Sequence, residues 1–266
     1  MLFRSIVQDM AGNCDGVIAV ADETVGQLYK WTSGTGHDVT VSQVPLGNHF
    51  DAAPPAGFSR ESWRAERGIG PNAWVIGHLG FVNASKAVDS TVAALAMLVA
   101  AGHDAHLLMI GQAASMTDPG GARYLDGILE MVEQMGLSER VHWTARVTTE
   151  DAVAWIRCVD VMSLPFRDGA SLRRTSLIAG WANGVPVVTT DAQIPVDWLR
   201  GDAPAAVSPS VGPESLALTL EKVMENPRLR DDLRARGIAF AERFGWPSVV
   251  AKTLDVYREA RRMPAR

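Results

Sequence analysis

Cysteine is scarce in this chain of 266 residues: there are two, Cys14 and Cys158. Two thiols cannot build a disulfide framework or supply four ligands to a structural zinc ion. Long apolar runs are missing too. The longest, residues 92–101, is too short to cross a bilayer and ends at Gly102-His103. Positive charge is not in excess. Lys and Arg number 25 against 30 Asp and Glu, a net charge of −5. The chain as a whole therefore carries no basic footprint for nucleic acid, although a local basic loop stays open. The opening residues, Met1 to Arg4, lack a basic segment followed by an apolar core, so no signal peptide is expected and a cytoplasmic location is. The six histidines show no spacing with carboxylates that makes a metal site. No Ser-His-Asp order with a nucleophile elbow occurs either. What remains is a globular composition, 47% hydrophobic and 21% charged, of a length that suits one or two domains.

Short apolar runs alternate with longer amphipathic stretches. Residues 74–80, 106–111, 141–144, 159–164 and 186–190 read as strands. Between and after them, residues 86–101, 124–136, 150–157, 176–182, 213–226 and 228–243 read as helices. Leu125, Ile128, Leu129, Val132 and Met135 show the spacing of one helical face. Asn183-Gly184 is a helix stop, and Pro227 divides the two later helices. A last helix runs from Trp246-Pro247 to about Arg262. Strands alternating with helices predict βαβ units and a parallel sheet covered on both faces. Ligands of such folds bind outside the carboxyl ends of the strands. The loops after Gly80, Gly111, Thr144, Leu164 and Thr190 are therefore the place to search for chemistry.

The first residues differ in role. A strand at 14–20, a helix at 22–31 and a strand at 39–45 are too few for an independent domain of this class. They read as the tail of a domain whose beginning is missing. The expected organisation is a remnant over 1–50, a Pro-, Gly- and Ala-rich linker over 51–60, a Rossmann-like domain over 61–243 and a crossing helix with its tail over 244–266.

Five stretches in order carry a resemblance: Val44-Pro45-Leu46-Gly47; Gly77-His78-Leu79-Gly80-Phe81-Val82-Asn83-Ala84-Ser85-Lys86; Glu139-Arg140-Val141-His142-Trp143 with Ala145-Arg146-Val147; Val159-Asp160-Val161-Met162-Ser163-Leu164-Pro165; and Gly184-Val185-Pro186-Val187-Val188-Thr189-Thr190. Together they resemble the C-terminal, donor-binding half of a family-4-type glycosyltransferase of the two-Rossmann-domain GT-B fold. The resemblance implies an α/β fold, a Rossmann-like parallel sheet with helices on both faces, plus a remnant of the N-terminal Rossmann-like domain. It implies transfer of a sugar from a nucleotide-sugar donor to an acceptor (a glycan, a lipid-linked or a small molecule), with retention and without a metal or other cofactor. No nucleic-acid partner is expected. A chain of this outline would expose apolar surface on the remnant and last helix, which favours self-association.

A donor diphosphate calls for backbone N–H groups at a helix start and one or two cations. Lys86 is placed to open the helix after the first strand of the Rossmann-like domain and contact phosphate; a solvated lysine there would be slightly disfavoured by the helix dipole. Asp168 to Ser176 follow a strand and lead into a helix. Arg173 and Arg174 would clamp the diphosphate while the amides near Thr175 and Ser176 cap it. The other reading is an N-capped helix with Ser171 or Thr175 as cap and surface arginines. Gly80, Asn83, Gly169 and Ser171 are further candidate donor contacts. So are His78, either a phosphate donor or a packed strand-end histidine, Arg146, either near the base or on the surface, and Asp168, either a stand-in carboxylate or a turn residue.

The pattern of the resembled family has a Glu, seven residues, then a second Glu. Counting back from Gly184, those places hold Ser171 and Ala179. In the family the first glutamate lies near the transferring sugar and the second near the ribose, so no catalytic residue is assigned. The Ser-Leu-Arg-Arg-Thr-Ser run reads as a substituted phosphate loop. Two alternatives follow, an inert nucleotide-sugar-binding module and a non-transferase GT-B enzyme such as a sugar-nucleotide epimerase.

Overall fold

The computed structural model describes residues 2–32, 39–112 and 119–262. Its elements in chain order are α1 (Leu2–Gly12), β1 (Gly16–Ala19), α2 (Asp22–Thr32), β2 (Thr40–Gln43), α3 (Arg60–Ala65), β3 (Trp74–Leu79), α4 (Val88–Ala100), β4 (Ala105–Ile110), α5 (Pro119–Gln134), β5 (Val141–Trp143), α6 (Thr149–Cys158), β6 (Val161–Leu164), α7 (Thr175–Ala182), β7 (Val187–Thr190), β8 (Ala206–Ser208), α8 (Pro213–Glu225), α9 (Pro227–Ala241) and α10 (Trp246–Arg262). They fall into two compact units. One comprises Met1–Asn48, Ser171–Thr175 and Glu242–Arg266, the other His49–Ala170 and Ser176–Ala241.

In the first unit β1 and β2 pair in parallel, Gly16 opposite Thr40 and Ala19 opposite Gln43. Tyr29 of α2 donates its hydroxyl to Val41 O at 3.1 Å, and Gln8 of α1 donates to Trp31 O at 2.7 Å. Asp22 and Glu23 stand in the first turn of α2 and Lys30 in its last, the order the helix dipole favours. The N–H of Asn48 donates to Phe244 O at 2.8 Å just before α10 begins. The unit opens with α1, which the strand–helix–strand reading of this region did not include.

The second unit is built on a six-stranded parallel sheet in the order β5-β4-β3-β6-β7-β8. Alternate residues along each strand point to opposite faces. Ile76, Leu107, Met109, Val141, Val161 and Val188 share one core with Val88, Val92 and Leu95 of α4, Ile128 and Val132 of α5, and Leu216 and Leu220 of α8. On the other face Met162 and Val187 meet α7 at Gly180, where a Cβ would lie 2.9 Å from Val187 Cγ2. The sheet is thus covered on both faces, as expected. Its strand β8 was not expected, nor was α3, which begins at Arg60 with Ser59 accepting from the N–H of Ser62.

One local expectation is corrected. Residues 86–101 do not form a single helix opened by Lys86. A 3₁₀ turn, Ala84–Lys86, comes first, and Ala87 then adopts a left-handed conformation (φ 45°, ψ 45°) before α4 starts. That reversal separates Lys86 from the first turn of α4, so its charge does not oppose that helix's dipole from within.

Among the described residues no helix is long and apolar enough to cross a membrane.

Candidate functional site

Strand order reverses between β3 and β6: from β3 the chain moves outward to β4 and β5, then returns to β6 on β3's other side. The carboxyl ends of these two strands are the crevice where doubly wound sheets bind ligands. β3 ends in Gly80, whose φ of +101° suits glycine. Its N–H donates to Ile110 O at 3.0 Å. Lys86 folds back so that its Nζ donates to Leu79 O at 3.3 Å. A Cβ on Gly80 would lie 2.5 Å from that nitrogen. The glycine therefore supplies both the turn and the space for the ammonium at the strand's end. Asn83 Oδ1 accepts from Ser85 Oγ at 2.8 Å within the same connection.

The connection after β6 grips the one after β3. The backbone N–H of Arg167 donates to Ser85 O at 2.9 Å, and its Nε to Ala84 O at 2.9 Å. The guanidinium also pairs with the Asp89 carboxylate in the first turn of α4. Asp89 accepts the Tyr124 hydroxyl at 2.5 Å. Burial alone would raise the Asp89 carboxyl, but the bonds from Tyr124 and Arg167 outweigh it and hold it low. Burial and the bond to Asp89 push the Tyr124 phenol up to about 12. Gly169 has φ +79°, and a Cβ there would meet Gln193 N at 2.3 Å. Thr190 Oγ1 accepts from the Phe166 N–H at 3.0 Å and donates to Phe166 O at 2.9 Å. The turn 165–170 is thereby fixed on β7, with Asp168 exposed at its tip. Arg167 was not among the residues singled out from the sequence.

His78 lies within β3 and is fully buried. Burial, and then the charge of Lys86, push its imidazole down to about 3, so it is neutral. Gly80, Asn83 and Lys86 share the β3 connection, and Arg167 brings Asp168 and Gly169 against it. Arg146 stands apart. It is exposed beyond β5, after Ala145, whose φ is +60°. Cys158 is buried, as expected of a core residue. The fold also gathers His103, Glu221 and Glu225, with ligand atoms within 4.8 Å of one another. Sequence spacing did not suggest this group. It lies at the amino edge of the sheet, where His103 Nε2 is hydrogen-bonded to Glu221 at 3.0 Å.

Residues 171–175 belong to the first unit and bring a carboxylate that sequence spacing did not reveal. Ser171 is buried, and its hydroxyl is hydrogen-bonded to Glu23 Oε1. The backbone N–H and the Nε of Arg173 both donate to Ser171 Oγ, each at 3.2 Å. Arg173 Nε lies 3.7 Å from the same Glu23 oxygen. The Arg174 N–H donates to Ser171 O at 3.0 Å, a turn that leads to Thr175 at the head of α7. Thr175 is half-buried and Ser176 buried. Ala179, at the second place of the two-glutamate pattern, is fully buried inside α7.

A family model described as glycosyl transferases group 1 matches residues 73–226. The D-inositol 3-phosphate glycosyltransferase of Streptomyces bingchenggensis is 25% identical over 257 residues, 96% of this chain and 55% of that protein. The chain spans about half the length of the curated relatives it matches. The structure of the Anabaena protein HepE in complex with UDP and glucose is similar with a TM-score of 0.78 at 15% identity, over 98% of this chain and 67% of that one. Sucrose-phosphate synthase from Thermosynechococcus elongatus gives 0.75 at 18% identity, over 96% and 61%. These structural likenesses show the fold, a Rossmann-like parallel sheet with helices on both faces. On the family match, this chain belongs to the glycosyl transferases group 1 family.

Proposed function

We propose that the chain binds a nucleotide-sugar donor at the carboxyl edge of the six-stranded sheet and serves transfer of the sugar to an acceptor, as a hexosyltransferase-type enzyme. The observation that carries this reading is the Lys86 ammonium, held at the end of β3 across Gly80. A cation fixed at a topological switch point suits a diphosphate. One of the similar structures, that of HepE, is of a complex with UDP and glucose, which supports a uridine nucleotide as the first donor to try.

In this reading Lys86 neutralises charge that grows on the leaving diphosphate, and the amides near Gly80 and Asn83 add donors. Arg173, Arg174 and the amides of Thr175 and Ser176 enter from their place in the chain between β6 and α7. Asp168 and Gly169 shape the turn before them, and Arg146 is assigned to the base side. The chain's own cations carry the phosphate charge, so the reading calls for no metal. Retention of configuration is part of it, and the acceptor is left open.

Thermal unfolding of the 266-residue chain with UDP, GDP, ADP and their sugars tests this. A ligand at ~100 times its dissociation constant stabilises the fold by about 2.7 kcal/mol. That corresponds to several degrees in a domain of this size. A shift with one nucleotide family is expected, and no shift with any would remove the reading. A second reading, an inert donor-binding module, draws on Ser171 and the buried Ala179 standing where the resembled pattern has glutamates. It predicts the same shift with neither transfer nor hydrolysis.

A further inference from the structure

The amino edge of the six-stranded sheet, opposite the edge that carries Lys86, gathers three side chains of the second unit that the donor reading does not use. His103 stands in the turn between α4 and β4. Its backbone N–H donates to Leu98 O at 3.1 Å and that of Gly102 to Val99 O at 3.0 Å, with Gly102 at φ +93°. This pair of bonds closes the end of α4 and fixes the backbone from which the imidazole projects. Glu221 and Glu225 stand one turn apart on α8, on one side of the helix. α8 is packed on α4, where Leu216, Leu220 and Val223 share a core with Val92, Leu95 and Leu98. His103 Nε2 is 3.0 Å from Glu221 Oε1, and one ligand atom from each of the three residues lies within 4.8 Å of the others. Two carboxylates one turn apart repel, and the dipole at the end of a helix disfavours them further. Lys222 lies on the same turn, yet among the described residues neither carboxylate forms an ion pair with a Lys or Arg.

We propose that His103, Glu221 and Glu225 bind a divalent transition-metal ion of the zinc class, which ties the α4–β4 turn to the end of α8. Zinc takes imidazole nitrogen and carboxylate oxygen at about 2.0–2.2 Å, which sets neighbouring ligand atoms of a tetrahedral site about 3.3–3.6 Å apart. The spacing of His103 and Glu221 is close to that already, and Glu225, exposed at the end of its helix, completes the set by turning its side chain. The nitrogen ligand argues for zinc, cobalt or nickel and against magnesium or calcium, which take oxygen. Three protein ligands leave the fourth position to water. A doubly positive ion also relieves the repulsion between the two carboxylates. The site lies at the edge of the sheet away from Gly80 and Lys86, so its role is to hold two elements of the unit together and not to serve sugar transfer.

The test is isothermal titration of the metal-stripped 266-residue chain, without an affinity tag, using zinc chloride alone, followed by thermal unfolding with and without zinc. Zinc is expected to bind and to raise the unfolding midpoint by several degrees, since an ion held only by the folded state stabilises it. Magnesium chloride at the same concentration should do neither. His103→Ala and Glu225→Gln should each weaken zinc at least tenfold, the least that loss of even a supporting group costs a metal site. Glu225→Gln changes an exposed side chain and keeps its size, so its metal-free midpoint should match that of the wild type. This variant decides the matter should His103→Ala not fold. No zinc binding by the wild-type chain, zinc binding that either folded variant leaves unchanged, or an equal response to magnesium overturns the assignment. None of these outcomes bears on the donor reading.

Discussion

Arg167 and Asp89, which lie 78 residues apart, form an ion pair that joins the connection after β6 to the first turn of α4. With the Arg167 N–H on Ser85 O and its Nε on Ala84 O, the pair holds the segment that carries Lys86. The pair is half-exposed, so its worth in stability is about 1 kcal/mol or less. Its larger effect is on local opening. Arg167→Ala should leave the unfolding midpoint within a few degrees while amide exchange at residues 84–86 speeds up. Unchanged exchange there would show that the loop is held by other contacts.

Lys86 separates binding from folding. Lys86→Ala removes one ammonium and its bond to Leu79 O, both at the end of a strand. The expected result is UDP affinity at least tenfold weaker, from the loss of a charge-assisted contact, with the melting temperature nearly unchanged. Gly80→Ala should reproduce the binding loss by pushing on the ammonium. It should also cost about 1–2 kcal/mol for a non-glycine residue at φ +101°. Titration calorimetry and urea unfolding on both variants check the two halves of the statement.

At the other edge of the sheet, Arg64 is buried and donates to Cys158 O at 2.7 Å, Ala73 O at 3.1 Å and Asp160 Oδ2 at 2.7 Å. Asp160 also takes the Val75 N–H at 2.7 Å and the Arg60 guanidinium. Removing one partner of such a buried pair leaves a charge without its counterpart, at a cost of about 3–5 kcal/mol. Arg64→Ala should therefore lower stability by that order in urea unfolding without altering nucleotide preference. A loss under about 1 kcal/mol would contradict the role.

Acid should destabilise the chain through three histidines. His106 and His142 share a hydrogen bond of 2.9 Å. Burial, then the neighbouring His106 charge, push His142 down to about 4, and burial lowers His106. His78 is pushed down to about 3. The unfolded chain protonates such groups near pH 6.5 and the folded chain does so only at lower pH, so the unfolded state holds more protons in between. Stability is full above about pH 6.5 and falls as pH drops towards 4. His142→Asn should flatten part of that slope in melting curves recorded from pH 7 to 4.5. A slope that the variant leaves intact would assign the effect elsewhere.

The parallel sheet was legible because β3, β4, β6 and β7 are buried on both faces and read as unbroken apolar runs. β8 was not legible: it is three residues long, Ala206-Val207-Ser208, with too little pattern to stand out. α1 escaped notice although Ile6, Val7 and Met10 have helical spacing, because Ile6 and Met10 are exposed and nothing local marks a core face. Around the site, Lys86 was found from its place after a strand, whereas the left-handed Ala87 that takes it off the helix has no sequence mark. Glu23 and Arg167 were missed for one reason. Each matters through a contact to a residue far along the chain, and spacing rules see only neighbours.

The strands at the two ends of the six-stranded sheet, β5 and β8, are also its shortest, three residues each. An outer strand exposes a row of unpaired amides and carbonyls on which another chain can build. Here that row is about as short as a strand can be, while the longer strands β3 and β4 are paired on both sides. The six-stranded sheet therefore guards itself against growing by strand addition through brevity at its rims.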